Sequence, residues 1–301
     1  MARVVIAVVT FRRPEMLRRL LASLAAAIER AEVDVAEILV VDNDPLGSAE
    51  RVARDAQHAR ITYIKEEVPG IAAARNAAIG WALGRADFLV FVDDDEEVEP
   101  VWLATLVDFQ KRTGADMVTG PVLPRFPVGT RRDIVASGVF APLRFSSGTR
   151  LEEAATNNLC LRVELFEQRD PPEWFDVALG LSGGSDAELT RRLVREGASL
   201  LWCDEAVAWE EVTIDRARWP WVRARAMRVG YIDCRLRNRT RGAAIVAGAL
   251  RAGVASFTLI AWPLLDPPRR AASMKRLGRG LGYIRWAFSL SVMEYARRRN
   301  R

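Results

Sequence analysis

Apolar residues along the first third of the chain fall into short continuous runs that alternate with stretches of helical period. Arg3 to Val9 is the first run, rich in β-branched residues, and it ends at Thr10-Phe11-Arg12-Arg13-Pro14. Pro14 suits the first turn of a helix, and Leu17, Leu20, Leu21 and Leu24 recur on one face of it. Ile38 to Val41 is a second run, closed by Asp42-Asn43-Asp44-Pro45, and Ile61 to Ile64 is a third. Gly70 leads into an alanine-rich helix from Ile71 to about Leu83 that carries Arg75 and Asn76. Phe88 to Val92 is the fourth run; three consecutive aspartates, Asp93-Asp94-Asp95, follow it, and another helix starts near Pro100. Apolar strands alternating with helices predict an α/β fold, a mostly parallel sheet with helices on both faces. Ligands of such sheets bind beyond the carboxyl ends of the strands. Thr10, Asp42 and Asp93 to Asp95 all fall at such ends and are expected to share one crevice.

The later pattern is less regular. Met117 to Leu123 predicts another strand, and Pro124 to Arg150 predicts loop and short strand. Ala155 to Val163 alternates weakly and includes Thr156-Asn157-Asn158. Gly180 to Ser185 is glycine-rich, and Asp186 starts a helix running to about Arg195. A carboxylate there suits capping of the helix as well as chemistry. Ala243 to Leu265 and Leu277 to Tyr295 are apolar stretches with arginines at their margins. Arg251 and the following Asp266-Pro267-Pro268 argue against a membrane-spanning segment in the first. Both predict amphipathic helices in a membrane interface, with a soluble helical subdomain as the alternative.

Composition sharpens this division. The 301 residues are 50% hydrophobic, enough for a large core, and the net charge of +5 conceals an asymmetry. Val212 to Arg301 holds 20 Lys and Arg against 4 Asp and Glu, giving +16, whereas Met1 to Glu211 holds 24 against 35, giving −11. The expected organisation is therefore an acidic domain over 1–211, suited to metal and nucleotide, and a basic amphipathic helical region over 212–301 that associates with an anionic membrane surface. Trp219, Trp221, Phe257, Trp262, Trp286 and Phe288 among the C-terminal arginines favour membrane over RNA, so no nucleic acid is expected. Cys160, Cys203 and Cys234 form neither a disulfide framework nor a metal pattern, which fits a reducing compartment. His58, the only histidine, lies in a polar stretch and reads as a surface residue, so histidine-based mechanisms are poorly supported. Met1-Ala2-Arg3 runs straight into a strand pattern, and no signal peptide is expected.

Three adjacent carboxylates repel one another, and at least one pKa must rise unless a cation sits between them. A divalent metal carrying a diphosphate answers that need, because hard cations take oxygen ligands and share them with phosphates. An acidic turn capping the next helix accounts for the same residues. Thr10-Phe11-Arg12-Arg13-Pro14 contains no glycine, which argues against a dinucleotide fingerprint or a glycine-rich phosphate loop after the first strand.

Five segments in order complete a known pattern: Val9 to Pro14, Val40-Val41-Asp42-Asn43, Gly70 to Asn76, Phe91 to Glu97, and Gly183-Gly184-Ser185-Asp186. Together they resemble the family 2 glycosyltransferases of the GT-A fold over about Arg3 to Gly230. Phe91 to Pro121 is especially similar to bacterial exopolysaccharide glucosyltransferases of the succinoglycan type. The resemblance implies that Thr10 and Arg12 meet the nucleotide, that Asp42 contacts base or ribose, and that Arg75 lies beside the nucleotide. Asp93 and Asp95 correspond to the DXD motif, Asp95 being the ligand of Mg²⁺ or Mn²⁺, with Asp94 between them. Asp186 corresponds to the base that activates the acceptor hydroxyl. The implied reaction inverts the anomeric centre, with UDP-glucose as donor and a polyprenyl-diphosphate-linked glycan as acceptor, at the inner face of the cell membrane. Two positions depart from the pattern: Ser185 stands where many relatives have glutamate, and Trp209-Glu210-Glu211 where some place a histidine. A metal-dependent nucleotidyltransferase and a non-catalytic membrane or RNA adaptor are the competing readings.

Overall fold

The structure, a computed structural model, describes residues 2–56, 60–169, 174–180, 183–237, 239–261 and 264–290; His58, Trp262 and the last part of the Leu277 to Tyr295 stretch lie outside them. Two compact units divide the chain, one formed by residues up to Leu123 and Leu143–Glu210, the other by Pro124–Pro142 and Glu211–Glu294. In chain order the elements begin with β1 (Arg3–Thr10), α1 (Pro14–Glu29), β2 (Asp34–Asp42), α2 (Glu50–Asp55), β3 (Ile61–Lys65) and α3 (Ile71–Ala82). There follow β4 (Phe88–Asp93), β5 (Glu96–Val98), α4 (Trp102–Thr113), β6 (Met117–Thr119), β7 (Val122–Arg125), α5 (Arg132–Val135) and β8 (Leu159–Arg162). The chain then forms α6 (Ser185–Arg195), β9 (Leu200–Trp202), β10 (Ala208–Glu211), α7 (Trp219–Leu236), α8 (Arg241–Ile260) and α9 (Pro267–Ala287).

The first unit is built on a seven-stranded sheet of order β3-β2-β1-β4-β8-β6-β9. The pairs β1–β2, β1–β4, β2–β3 and β6–β9 are parallel, and β8 runs antiparallel to both β4 and β6. The apolar runs of β1 and β4 are buried on both faces because side chains alternate across the sheet. Val4, Ile6 and Val8 pack with Leu17, Leu20, Leu24, Trp102 and Leu106, from α1 and α4. Val5 and Ala7 face the other layer, with Ala74, Ala78 and Ile79 of α3 and Leu189 and Leu193 of α6. The mostly parallel α/β sheet with helices on both faces is thus as the pattern predicts.

One predicted strand divides in two. Met117 to Leu123 breaks at Gly120-Pro121, where Pro121 offers no N–H to a ladder. Gly120 meets neighbouring backbone so closely that a Cβ there would lie 2.4 Å from the Ala206 carbonyl oxygen.

The second unit gathers a small aromatic core, in which Phe140 stacks on Trp221 with ring centres 5.1 Å apart, beside three helices. Close contact in these helices depends on glycine. A Cβ on Gly282 of α9 would lie 2.0 Å from the Met227 carbonyl oxygen of α7, and one on Gly230 of α7 would lie 2.4 Å from the Arg279 carbonyl oxygen. On the other side of α9, Gly280 meets Gly248 and Ala252 of α8. Helix α9 therefore packs between α7 and α8, its glycines meeting the backbone of both neighbours. Its small residues are contact points for backbone, not a solvent-facing apolar stripe. Gly282→Ala should destabilise this unit by about 1–3 kcal/mol through overpacking, seen as a lower thermal midpoint of the helical signal. An unchanged midpoint would show that the helices separate at no cost.

Candidate active site

The register of the sheet places Thr10 opposite Asp42 and Val9 opposite Asp93, so three neighbouring strands end at the same level. Asp94 and Asp95 form the turn beyond β4, and Glu96 opens β5, which pairs antiparallel with β10. Thr10 Oγ1 donates to Asp94 Oδ2 at 2.7 Å. Arg13 Nη1 donates to Asp94 Oδ1 at 2.9 Å and to Asp95 Oδ2 at 3.0 Å. Asp93 keeps 36% of its side chain exposed, and Arg75 Nη2 lies 3.9 Å from its Oδ1. Arg75, nearly buried, also donates to Ser185 Oγ at 3.5 Å and sits 5.6 Å from the centre of the Phe175 ring. Asp93, Arg75 and the start of α6 thus form one connected row.

The electrostatics of this row follow from crowding. Burial pushes the Asp93 carboxyl up to about 7, with Asp95, Asp94 and Glu210 adding to the rise and Arg75 opposing it. Burial likewise raises Asp94 against the pull of Arg13. Glu96 is raised well above the carboxylate range by burial and by Asp93 and Asp95. Its Oε2 accepts from the Asp93 N–H at 3.0 Å and its Oε1 from Asn157 Nδ2 at 3.2 Å, while Glu210 faces it across the β5–β10 ladder. Among the described residues, Arg13 meets Asp94 and Asp95, and Arg75 meets Asp93. The donor atoms are hard oxygens and the carboxyls raise one another's pKa, so the residues present fit a divalent metal. Among the described residues no three acidic, histidine or cysteine side chains form a ready-made metal cage. One or two carboxylates completed by phosphate oxygens is a usual arrangement for Mg²⁺.

Other sequence-selected residues have different surroundings. Asp42 is fully buried and both its oxygens are engaged: Oδ1 accepts from the Asp44 N–H at 2.9 Å, and Oδ2 from the Ala49 N–H at 2.8 Å and the Tyr63 hydroxyl at 3.2 Å. It anchors the 43–49 loop. Arg12 takes a left-handed φ of 56°, uncommon for a residue with a side chain. Its Nε and Nη2 reach Asp44 at 3.2 and 3.4 Å, and its N–H donates to Ser48 Oγ at 3.2 Å. Burial alone would raise Asp44, but the Arg12 pair and loop N–H groups hold it below the ordinary value. Asn43 fastens the neighbouring loop by donating to the Glu66 and Val68 carbonyls and accepting from the Gly70 N–H. Asn158 is spent on the Pro121 and Ala206 carbonyls and the Trp102 indole.

Asp186 is the second residue of α6. The residue preceding the helix is Gly184, at φ 91°, so the capping position belongs to glycine and Asp186 Oδ1 accepts from the Ala187 N–H at 2.9 Å. Arg13 and Glu96 were not selected from sequence. Arg13 lies three residues beyond Thr10, and any cation placed there was a counter-ion candidate for the acids expected in the same crevice. Glu96 carries no signal apart from its neighbours, because its role comes from burial.

Comparison with known proteins gives concordant results. The pattern described as Glycosyl transferase family 2 matches residues 5–160. The succinoglycan biosynthesis protein ExoM of Rhizobium meliloti (strain 1021) is 32% identical over 239 residues, covering 77% of this chain and 74% of that protein. Among solved structures, residues 1–349 of S. aureus TarS in complex with UDP superpose with a TM-score of 0.54 at 15% identity, covering 93% of this chain and 90% of that one. The crystal structure of GalNAc-T7 with UDP, GalNAc and Mn²⁺ also gives 0.54 at 15% identity, covering 76% of this chain. This chain spans 48% of the GalNAc-T7 chain and 43% of the longer TarS chain. At these identities the structural likeness is one of fold.

Proposed function

The chain belongs to glycosyl transferase family 2, and from that premise we propose that it transfers glucose from UDP-glucose to a polyprenyl-diphosphate-linked glycan in exopolysaccharide synthesis, inverting the anomeric configuration. The observation that carries this reading is the single row formed by Thr10, Arg13, Asp93 to Glu96, Arg75 and Ser185-Asp186 at the carboxyl edge of the sheet. UDP in two structures of the same fold, and Mn²⁺ in one, support the donor class and the ion. Asp95 would hold Mg²⁺ or Mn²⁺ with Asp93, and the bound ion would act as a Lewis acid toward the charge on the departing diphosphate. Arg75, fixed by Ser185 and Phe175, is placed to orient phosphate oxygens. Thr10 and Arg13 hold Asp94 still, so that the turn presents Asp93 and Asp95 in one orientation.

Asp186 takes the proton of the acceptor hydroxyl as it attacks the anomeric carbon. Its Oδ1 rests on a first-turn N–H, which orients the carboxylate without neutralising it. Arg12 and Asp42 serve the nucleotide indirectly, by fixing the 43–49 loop beside β1. The name of the ExoM relative supports assignment to exopolysaccharide synthesis. The basic residues 212–301 support an acceptor held at the inner face of the membrane. No described helix is long and apolar enough to cross a membrane.

The test is a screen of sugar nucleotides for hydrolysis and transfer. Turnover is expected with UDP-glucose, to cease on chelation and to return with Mg²⁺ or Mn²⁺. Turnover indifferent to chelator would remove the role given to Asp95, and another preferred donor would overturn the glucose assignment.

A further inference from the structure

Helix α8 carries an exposed face without charge. Val246, Leu250, Val254, Phe257 and Ile260 are exposed, Phe257 at 77% and Ile260 at 80%, and Leu264 follows just beyond the helix at 87%. Their spacing of three and four residues puts them on one side of the helix, where Ala249 and Gly253 are also exposed. At the helical rise the stripe runs for about 20 Å. Ala244, Gly248 and Ala255, on the opposite side, are buried, Ala244 clustering with Tyr283 and Ala287 of α9.

Arg251, the charge that interrupts this run in sequence, does not interrupt the face. Its Nη1 donates to the Ala247 carbonyl at 3.1 Å and its guanidinium lies 4.8 Å from the centre of the Tyr283 ring, so it turns into the helical unit. Cations flank the stripe at both ends. Arg241 is exposed at the start of α8, and Arg269, with 75% of its side chain exposed and only a 3.8 Å pair to Asp266, follows its end. Helix α8 contains no acidic residue, and Glu211–Glu294 holds 16 Lys and Arg against 5 Asp and Glu.

An apolar surface of this extent marks an interaction site. A second copy of the chain is disfavoured as occupant, because two such helices face to face would bring arginine-rich ends together in either orientation. An anionic bilayer matches both the apolar stripe and the flanking cations. We propose that α8 lies flat in an anionic membrane surface, with Val246, Leu250, Val254, Phe257, Ile260 and Leu264 sunk among acyl chains and Arg241 and Arg269 at headgroup level. This rests on the reading of a lipid-linked acceptor and names the surface that holds the protein beside it, with α9 left to the packing of the helices.

The test uses the full chain and vesicles of phosphatidylcholine with or without phosphatidylglycerol. The unaltered protein should sediment with the phosphatidylglycerol vesicles, and L250E/F257E should lower partitioning by about tenfold or more. Both positions are exposed, so the melting curve and sugar-nucleotide hydrolysis should not change. A nitroxide on V254C, selective because the three native cysteines are buried, should become accessible to oxygen when vesicles are added. Equal partitioning of variant and parent, or a nitroxide that stays in water, overturns the proposal. So does sedimentation velocity showing a dimer that the glutamates split while vesicle binding is retained. Vesicle binding without turnover of any sugar nucleotide would leave the surface standing and sink the functional reading; normal turnover without vesicle binding would do the reverse.

Discussion

Asp186→Asn is expected to lower transfer by about 10²–10⁴-fold, the range for loss of a general base, while UDP binding persists. On the proposed reading this carboxylate serves the chemistry, and the capping position belongs to another residue. Gly184 occupies the position before α6, and Asp186 lies one residue inside the helix with Oδ1 on the Ala187 N–H. An asparagine oxygen can accept the same bond, so the helix loses only one first-turn charge, worth about 0.3–1 kcal/mol. The neighbouring contact of Ser185 with Arg75 does not involve the altered side chain. Transfer assays and calorimetric titration with UDP on one preparation decide the matter. A parallel fall in both would make Asp186 part of the nucleotide platform; undiminished transfer would remove it from the chemistry.

The sheet was legible because β1, β2 and β4 are buried on both faces, so their sequences are continuous apolar runs that no surface segment would carry. The acids at the strand ends were legible because nothing in a core tolerates them. What sequence could not decide is which way each side chain turns. Asp42 and Asp93 both end strands of one sheet, yet Asp42 points into loop N–H groups and is sealed, while Asp93 is only partly buried. Arg12 and Arg13 are adjacent and chemically identical. Only the left-handed backbone at Arg12 sends one guanidinium to Asp44 and the other to Asp94 and Asp95. Helix α9 meets the same limit. Glycine and apolar residues between arginines compose both an interfacial helix and a tightly packed one, and the distinction lies in the partners that Gly278, Gly280 and Gly282 meet. The grouping of residues 124–142 with the C-terminal helices had no pattern to announce it, since α5 has four residues and too few apolar positions for a period.

Arg13→Ala should destabilise the metal-free protein and make its stability depend strongly on divalent cation. Arg13 pairs with Asp94 and Asp95 at 2.9 and 3.0 Å, and those carboxylates keep only 5% and 6% of their side chains exposed. Removing one partner of a sealed ion pair costs about 3–5 kcal/mol, because a buried charge is left without compensation. Arg13 itself is 38% exposed, so solvent already screens the pair. The acids can also take up protons, and an expected loss of about 2 kcal/mol allows for both effects. On the proposed reading Mn²⁺ would supply the missing charge at the same oxygens, so it should raise the melting temperature of the variant more than that of the parent. Manganese affinity, read by electron paramagnetic resonance without any turnover, should rise in the variant as the competing guanidinium is lost. Arg13→Lys should restore much of the metal-free stability, since an ammonium returns the charge although not the shared geometry of one nitrogen on two carboxylates. If Arg13→Ala melts like the parent and binds Mn²⁺ no more tightly, Arg13 does not neutralise this cluster, and the charge balance assigned to the site is wrong.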